Sequence, residues 1–537
     1  MIGIMLAIAF GAPFADHMVL QRDRPVPIWG TANPGERVTV SFASQSVDAV
    51  TDAKGNWRAT LQPLKTSAIG RDLKVASQPP QTTQTSQTSQ TSRTSRTSQT
   101  SRTSRTSQTS RTSQTSQTSQ TSQSFILSDV LVGEVWIAGG QSNMSCPTWG
   151  ANPRFRDEQG MFMSQLTRLP LLRYATAVGN PSETPQAKLR YDLNWRPAVP
   201  ENLTKTPFSA VAFYFGRELQ IALGIPVGVV CAAEGGTNID AWTPQCGYDG
   251  IAELADLAGW KFLSEEDWRN VKVRKLPIDG YQQQPTMLWN GFLAPLAPMA
   301  VRGVIWYQGE RNCVAGEAGP RYAAKLRALY NGWSRAFANP DLKFQVVQLC
   351  SWGPDIVAFQ ETQRKFCADE PNARLAVIND LGDPKDIHPP RKEPVGRRLA
   401  ALALRHDYGF KNLAADAPVL VSAVAEGAKV RLAFSSCTRL SLRTAARDTA
   451  SGIELAGEDG GFRPVTIENL RKVPVGDIAF GAIDGSTLLV SASGVTEPRR
   501  VRYLSAAPRV GTLMNECNLP VAAFDVEVTC PNPVKMR

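Results

Sequence analysis

The chain has 537 residues, of which 42% are hydrophobic and 20% charged, a composition that predicts a soluble globular protein of roughly two to four domains. Its formal net charge of +10 includes the arginines of one low-complexity tract, at positions 93, 96, 102, 105 and 111. The other residues carry about +5 without a run of Lys or Arg, so neither nucleic acid nor a membrane surface is expected as a partner. A transmembrane span is not expected either, because no stretch is both long and apolar enough.

The nine cysteines are scattered along the chain, without a Cys-x-x-Cys pair or a histidine at zinc-finger spacing. We therefore expect no metal and no other cofactor. Residues 1–9 are apolar and end in a sequence that resembles a signal-peptide cleavage site, although no Lys or Arg precedes it. A strand, a signal peptide and a signal that has lost its start all stay open, with a secreted or periplasmic location favoured over a cytoplasmic one. The oligomeric state is not predicted.

Residues 10–129 have the pattern of a β-sandwich domain, because short alternating runs are separated by turn signals. The runs lie at 26–30, 37–42, 57–61, 73–76 and 125–127. Between the last two, residues 81–123 form a Gln/Arg-Thr-Ser repeat without an apolar side chain. Such a tract cannot offset its ordering entropy by burial and is predicted to be a disordered insertion in this domain.

From 130 to 410 the pattern changes to alternating strands and helices, which predicts a three-layer α/β domain with a mainly parallel sheet. Strands are expected at 135–138, 227–232, 303–307, 344–349 and 375–378. Helices are expected at 208–223 and at about 394–406, and a third has its apolar face between 322 and 337. Residues 411–529 return to alternating runs and predict a C-terminal β-sandwich domain.

Polar residues follow four of these strands, in the loops at 139–144, 235–238, 308–312 and 383–389. The carboxyl ends of parallel strands lie along one edge of a sheet, so these loops can converge. In the first loop Ser142 follows two glycines and stands between two carboxamides, which suits a hydroxyl nucleophile surrounded by backbone N–H groups. Taken alone, that stretch is explained equally well as a Gly-rich turn after a core strand.

The three histidines sharpen the prediction of a nucleophilic site. His17 lies in the N-terminal β region, and His406 ends a helix, where it suits the helix dipole. His388 is in a strand-end loop, and a serine hydroxyl needs a base to take its proton at neutral pH. We therefore predict that His388 is the base for Ser142, the alternative being a histidine that fixes a Pro-rich turn.

These motifs resemble the sialate O-acetylesterases, a carbohydrate-esterase branch of the SGNH hydrolases. The resemblance lies in Gly140-Gln-Ser-Asn-Met144, Gly235-Gly-Thr237, Asn290-Gly-Phe-Leu-Ala-Pro295, Gly303-Val-Ile-Trp-Tyr-Gln-Gly-Glu310 and Asp386-Ile-His-Pro-Pro390. It extends to both β regions and leaves out only the repeat. It implies a metal-free serine esterase with a flavodoxin-like SGNH domain flanked by N- and C-terminal β-sandwiches.

The resemblance also implies roles for further residues. Asp386 would orient His388, and Asp383 and Glu310 are the competing acids. The oxyanion hole would consist of the Ser142 and Gly236 N–H groups and the Gln308 carboxamide. Asn143, Thr237, Glu310 and Asp383 are further candidates for orienting or substrate contacts.

Two classes of function remain from the sequence. The first is an enzyme that removes acetyl groups from an O-acetylated sugar, with a sialate favoured over xylan and other glycans. The second is a non-catalytic glycan-binding protein on the same scaffold, because a fold does not fix a function. The joint presence of Ser142, Gln308 and His388 favours the enzyme.

Overall fold

A computed structural model describes residues 7–78, 123–149, 160, 162–163, 166–270, 280–353, 356–443, 452–475, 478–505 and 510–530. The repeat predicted to be disordered lies outside these residues, apart from Gln123, which begins a strand. At the start of the chain, residues 1–6 lie outside them, and Ala9–Phe10 forms a short strand. The described residues form a mixed α/β structure with β-rich segments on either side of a central sheet.

The central sheet is mainly parallel, as predicted. In order across the sheet its strands are Arg196–Ala198, Leu169–Thr176, Val227–Ala233, Gln123–Gly140, Gly303–Tyr307, Lys343–Val347 and Ala373–Ala376. Arg196–Ala198 is antiparallel to its neighbour and ends the sheet on one side. Gly303–Tyr307 is buried at every residue and Val227–Ala233 at all but its last, which is why both strands appear in the sequence as continuous apolar runs.

Helices cover both faces of this sheet. Trp136 packs on Phe215 of one helix, with ring centroids 5.0 Å apart. A Cβ at Gly139, three residues along the same strand and therefore on the opposite face, would lie 2.9 Å from Trp333 of another helix. In the described residues the α-helices are Ser142–Ser145, Pro200–Leu203, Ala210–Leu223, Ala255–Ala258, Glu265–Asn270, Glu310–Val314, Pro320–Ala336, Ile356–Asp369 and Glu393–Asp407.

The helix Ala210–Leu223 illustrates how the local sequence sets its limits. The Ser209 side chain accepts a hydrogen bond from the Ala212 N–H and caps the first turn. Gly224 ends the helix with a φ of 65°, a conformation that glycine adopts without strain. The predicted helix at 208–223 is therefore confirmed, with its start two residues later.

The N-terminal β region shares a strand with the central sheet. Gln123–Gly140 pairs with Ser67–Gln78 through its first half and with the parallel strands through its second. The pairing confirms that the runs on either side of the repeat are neighbours, and residue 130 lies within one continuous strand. The other strands of this region are Val19–Gln21, Val26–Thr31, Arg37–Phe42, Gln45–Val50 and Asn56–Leu61.

Beyond residue 411 the described chain forms three four-stranded sheets. Alternating burial, as in Lys429–Phe434, supports the prediction of β structure there. The strands are Leu420–Glu426, Lys429–Phe434, Arg439–Arg443, Ile453–Ala456, Phe462–Pro464, Thr466–Ile467, Arg471–Val475, Ile478–Asp484, Thr487–Ser491, Arg500–Tyr503, Leu513–Asn515 and Phe524–Glu527.

The register of the central strands brings the predicted loops to one edge. Gly140 is paired with Ala233 on one neighbouring strand and with Tyr307 on the other. The segments that begin at Gln141, Glu234 and Gln308 therefore leave the sheet side by side. Gly140 has a φ of 148°, and a Cβ at this position would lie 2.1 Å from the Tyr307 carbonyl oxygen.

We expect Gly140→Ala to destabilise the protein by about 2 kcal/mol or more, since it adds backbone strain and a clash with the neighbouring strand. Urea unfolding measures this change. Gly259→Ala is the matched control, because Gly259 has a φ of −93° and its added Cβ would meet no atom closer than 3.5 Å. The control should shift the free energy of unfolding by no more than about 0.5 kcal/mol. Equal effects of the two changes would contradict the prediction.

Candidate active site

The structure brings Ser142 and His388 together. Ser142 begins the short helix Ser142–Ser145, directly after the strand that ends at Gly140. Its Oγ lies 2.9 Å from Nε2 of His388, a residue 246 positions away in the chain. About a third of the imidazole is exposed, 32% of the side chain, so the pair is open to a ligand. This is the geometry of a hydroxyl that can pass its proton to a base.

Asp386 lies against the same imidazole. Its Oδ1 is 3.7 Å from His388 Nδ1, longer than a hydrogen bond, and accepts a hydrogen bond from the His388 backbone N–H at 2.9 Å. Asp383 serves the turn instead: its Oδ1 accepts from the Lys385 N–H at 2.9 Å, and its carbonyl accepts from the Asp386 N–H at 3.1 Å. Asp386 is thus next to the ring and Asp383 shapes the loop that holds it.

Glu310 belongs to a buried polar cluster beneath the pair. The Asn143 Nδ2 donates to Glu310 Oε1 at 2.5 Å and to the Ile387 carbonyl at 3.0 Å. The Asn143 Oδ1 accepts a hydrogen bond from Lys392 Nζ at 2.5 Å. Asn143, the residue after the serine, therefore contacts the loop of the histidine directly. Lys392 was missed in the sequence, where nothing marks a lysine ahead of a helix as buried.

Burial shifts the pKa values of both ionisable groups in this cluster, Glu310 and Lys392. It raises the pKa of Glu310 to about 7, against the opposing effects of the Asn143 hydrogen bond and the Lys392 charge. Burial likewise lowers the pKa of Lys392. Each charge is thus costly by itself, and the two are stabilised through the carboxamide between them.

The loop after the strand Val227–Ala233 passes beside the serine. A Cβ at Gly235 would lie 3.6 Å from the Ser142 Cβ. Gly236 is exposed and has a φ of 71°, which glycine adopts without strain. Its carbonyl accepts a hydrogen bond from Gln283 Nε2 at 2.6 Å, which holds this part of the loop in place.

The Gln308 side chain has contacts other than those expected from the sequence. Its Nε2 donates to the Thr237 carbonyl at 3.0 Å and to Asn312 Oδ1 at 2.8 Å, and its Oε1 accepts from the Tyr322 hydroxyl at 3.2 Å. The Ile239 N–H donates to Asn312 Oδ1 at 3.0 Å, which fixes the orientation of the Asn312 carboxamide. The Thr237 carbonyl can only accept, which fixes the orientation of the Gln308 carboxamide. Since both amide hydrogens are used in this way, Gln308 holds the neighbouring loop instead of pointing a donor at Ser142.

Thr237 also faces the protein interior. Its hydroxyl donates to the Glu234 carbonyl at 2.8 Å and accepts from Trp242 Nε1 at 2.9 Å. The residue is fully buried. Of the two roles considered for Thr237, the structure therefore favours orientation of the loop over contact with a substrate.

The loop that carries His388 is also attached at its base. Asn379 Nδ2 donates to the Val521 carbonyl at 2.9 Å, which joins the loop to the C-terminal β region. Arg398 binds Asp380 through both guanidinium nitrogens, at 2.6 and 2.7 Å. The position of the histidine thus depends on the C-terminal region as well as on the central sheet.

The other two histidines pair with carboxylates elsewhere. His17 Nδ1 lies 2.8 Å from Asp129 Oδ2, and His406 Nε2 lies 2.8 Å from Asp416 Oδ1. Within the described residues, no group of three or more His, Cys, Asp or Glu side chains is arranged to hold a metal ion. In the same part of the chain no helix has the length and apolar character needed to cross a membrane.

Residues 278–405, which include Gln308, Glu310 and His388, match the family model described as carbohydrate esterase, sialic acid-specific acetylesterase. The chain is 26% identical over 461 residues to sialate O-acetylesterase of Rattus norvegicus, covering 78% of this chain and 77% of that protein. The Homo sapiens sialate O-acetylesterase is 25% identical over 453 residues, covering 77% and 74%. The crystal structure of a carbohydrate acetylesterase from Xanthomonas citri superimposes with a TM-score of 0.73 and 28% identity, covering 97% and 99%.

The chain is a carboxylic ester hydrolase. The resemblance to the sialate O-acetylesterases that its motifs predict is confirmed. The family match and the relatives indicate the deacetylation of sugars as its reaction.

The raised pKa of Glu310 predicts a pH-dependent effect of Glu310→Gln on the stability of the esterase. Because the pKa of about 7 in the folded protein exceeds the ordinary 4.5, the neutral carboxyl contributes stability below pH 4.5, and this contribution is lost as the pH rises to about 7. The glutamine side chain cannot ionise. The free energy of unfolding of the variant, relative to that of the native chain, should therefore rise by on the order of 3 kcal/mol between pH 4.5 and about 7.

Urea unfolding at several pH values measures this difference. Glu266→Gln, a change at an exposed residue of a surface helix, is the control and should give a curve parallel to that of the native chain. If the difference for Glu310→Gln stayed constant between pH 4.5 and 7, Glu310 would not have the raised pKa.

Proposed function

We propose that this esterase removes O-acetyl groups from sugars through an acetyl-enzyme intermediate on Ser142, with His388 as the general base. The observation that carries the proposal is the 2.9 Å contact between Ser142 Oγ and His388 Nε2 at the carboxyl edge of the sheet. The contact joins the one histidine of a strand-end loop to a serine that follows a buried strand. That combination of nucleophile and base supports acyl transfer over glycan binding alone.

The reaction then has two halves. In the first, the Ser142 oxygen attacks the acetyl carbonyl while its proton passes to His388 Nε2, and the tetrahedral intermediate collapses as the imidazolium protonates the sugar oxygen that leaves. In the second, His388 takes a proton from water as the water oxygen attacks the acetyl-serine, and that proton passes to the Ser142 oxygen as acetic acid departs; the acid then loses its remaining proton to solvent and becomes acetate. No other co-reactant is needed.

The negative charge of each tetrahedral intermediate needs hydrogen-bond donors. We assign this role to the backbone N–H groups of Ser142 and Gly236, because the Gly235–Gly236 segment runs beside Ser142 and is exposed. Gln308 supports this oxyanion hole indirectly by its hydrogen bond to the Thr237 carbonyl.

Asp386 is proposed as the acid that orients His388 and stabilises the imidazolium. The 3.7 Å separation from Nδ1 is long for a hydrogen bond, and catalytic hydrogen bonds commonly tighten only when the substrate is bound. Since Asp386 is attached to the backbone of His388, a small rotation of either side chain would close the gap.

The fold proposal follows from the same arrangement. We propose a flavodoxin-like SGNH hydrolase domain at 130–410, between β-sandwich domains at 10–129 and 411–529. The parallel sheet covered by helices on both faces supports the first part. The three four-stranded sheets beyond residue 411, and the three-stranded sheet of Ala9–Phe10, Val26–Thr31 and Asn56–Leu61, support the second.

For the substrate, we propose an O-acetylated sialic acid. The description of the matching family and the names of the mammalian relatives support this choice. The Xanthomonas citri protein is named only as a carbohydrate acetylesterase, so acetylated xylan and other acetylated glycans are the alternative.

Substitutions at the three residues test the mechanism. Ser142→Ala and His388→Ala should each reduce acetate release by on the order of 10³-fold or more, and the double variant should be little worse than either, because the residues act as one unit. Asp386→Asn should be severe but partial. Circular dichroism confirms that each variant is folded. Near-normal activity of Asp386→Asn, together with loss of activity in Asp383→Asn or Glu310→Gln, would reassign the acid.

A substrate comparison tests the sugar. We expect kcat/KM for acetate release from an O-acetylated sialoside to exceed that from an acetylated xylooligosaccharide by at least about tenfold, a difference of 1.4 kcal/mol in transition-state binding. A small acetyl ester such as 4-nitrophenyl acetate normalises for the concentration of active enzyme. A preference of the same size for the xylooligosaccharide would replace the sialate proposal by the alternative.

A further inference from the structure

The cluster of Lys392, Asn143 and Glu310 buries two ionisable groups next to the reacting pair. Lys392 is 2% exposed, and Asn143 and Glu310 are each 1% exposed. The Lys392 ammonium donates to Asn143 Oδ1 at 2.5 Å and lies 5.6 Å from the centre of the Tyr307 ring. Burying an ammonium costs several kcal/mol unless it is well paired, so a site of this kind needs a physical reason.

The position of Lys392 in the chain supplies a physical reason for its burial. It ends the loop of His388 and directly precedes the helix Glu393–Asp407, so its backbone moves with the histidine. Asn143 follows Ser142 in the chain and moves with the nucleophile. The bond between Lys392 and Asn143 therefore joins the segment of the base to the segment of the nucleophile.

A second hydrogen bond also joins the segment of the nucleophile to the segment of the base. The Asn143 Nδ2 donates to the Ile387 carbonyl, one residue before His388, at 3.0 Å. The Asn143 carboxamide can make this bond only in the orientation that presents its oxygen to Lys392 and its nitrogen to Glu310 and Ile387. With a donor on one side and acceptors on the other, the carboxamide cannot rotate by 180° without losing all three contacts.

We propose that Lys392 is a positioning residue for this esterase: through Asn143 it holds the Ser142 and His388 segments at the separation needed for proton transfer. This inference rests on the proposed roles of Ser142 and His388. In this proposal Lys392 acts through Asn143, to which its ammonium donates, and not on the reacting atoms themselves. Its contribution is to the geometry, and a displacement of about 1 Å at such a pair can reduce the rate on the order of 10²-fold.

Lys392→Met tests the proposal, because methionine keeps much of the volume and removes the ammonium. For 4-nitrophenyl acetate we expect kcat to fall about 10²-fold with KM nearly unchanged, since the loss falls on proton transfer and not on substrate binding. The second-order rate at which an organophosphonate ester inactivates Ser142 should fall in parallel. That rate reports on the reactivity of Ser142. A substitution that only lowered the stability of the protein would leave this reactivity unchanged in the molecules that remain folded.

Lys343→Met is the matched control. The Lys343 ammonium donates to Asn372 Oδ1 at 2.7 Å, so the same kind of bond is removed. Lys343 begins the strand Lys343–Val347 and therefore lies at the opposite edge of the sheet from the loops of the site. We expect this variant to keep kcat and the inactivation rate within about twofold of the native values, equivalent to about 0.4 kcal/mol.

Introducing Lys392→Met into the Glu310→Gln variant distinguishes a positioning role of Lys392 from a role as the counter-charge of Glu310. It also provides a second test if Lys392→Met alone folds poorly. Glutamine keeps an oxygen that can accept from Asn143 and removes the negative charge that Lys392 would leave unpaired. In this background we still expect Lys392→Met to reduce kcat and the inactivation rate about 10²-fold relative to Glu310→Gln alone. No reduction there would overturn the proposal and leave Lys392 as a counter-charge for Glu310.

The Ser142→Ala variant distinguishes this inference from the mechanism on which it rests. Loss of acetate release in Ser142→Ala, combined with native kcat in Lys392→Met, would refute only the role of Lys392. Retention of acetate release in Ser142→Ala would instead refute the proposed mechanism.

Discussion

The backbone hydrogen bonding of the strand Gln123–Gly140 is the constraint on which the rest of the structure depends. Its second half pairs in parallel with a strand on each side, and its register places Gly140 opposite both Ala233 and Tyr307. A strand pairing that slipped by one residue would turn every side chain to the other face, so this register is strongly specified by the buried residues on both faces. The loops that meet at Ser142 are brought together by this alignment.

Buried polar contacts then fix what the sheet only brings close. Asn143 joins the serine segment to the histidine loop, and Gln308 fixes the neighbouring loop through the Thr237 carbonyl. Such contacts are stabilising only when every member has a partner, because an unpaired polar group in a site of low dielectric is costly. The same requirement makes the site rigid, which suits a reaction that depends on a 2.9 Å contact.

The β-rich flanking regions take part in this arrangement. The N-terminal region shares the long central strand, so its strands extend the sheet that carries the nucleophile. The C-terminal region contacts the base of the histidine loop through Asn379 and Val521. Both ends of the chain therefore restrain the site, in agreement with a structural similarity to the Xanthomonas citri carbohydrate acetylesterase along nearly the whole chain.

The local pattern of the sequence did not predict the strands Leu169–Thr176 and Arg196–Ala198 at one side of the central sheet. It predicted the other five strands and the helix Ala210–Leu223, because apolar runs that are buried on both faces and helix caps are short-range signals. It also singled out Ser142 and His388, since a serine after two glycines and the one histidine in a strand-end loop stand out locally.

The partners of buried side chains were decided by the tertiary structure alone. The resemblance implied that the Gln308 carboxamide donates to the oxyanion. In the fold its two amide hydrogens are donated to the Thr237 carbonyl and to Asn312 Oδ1. The burial of Lys392 against Asn143, 249 residues away, has no local signal at all. Hydrogen-bond partners and pKa values depend on which distant groups exclude water from a site, and that is a property of the packed chain.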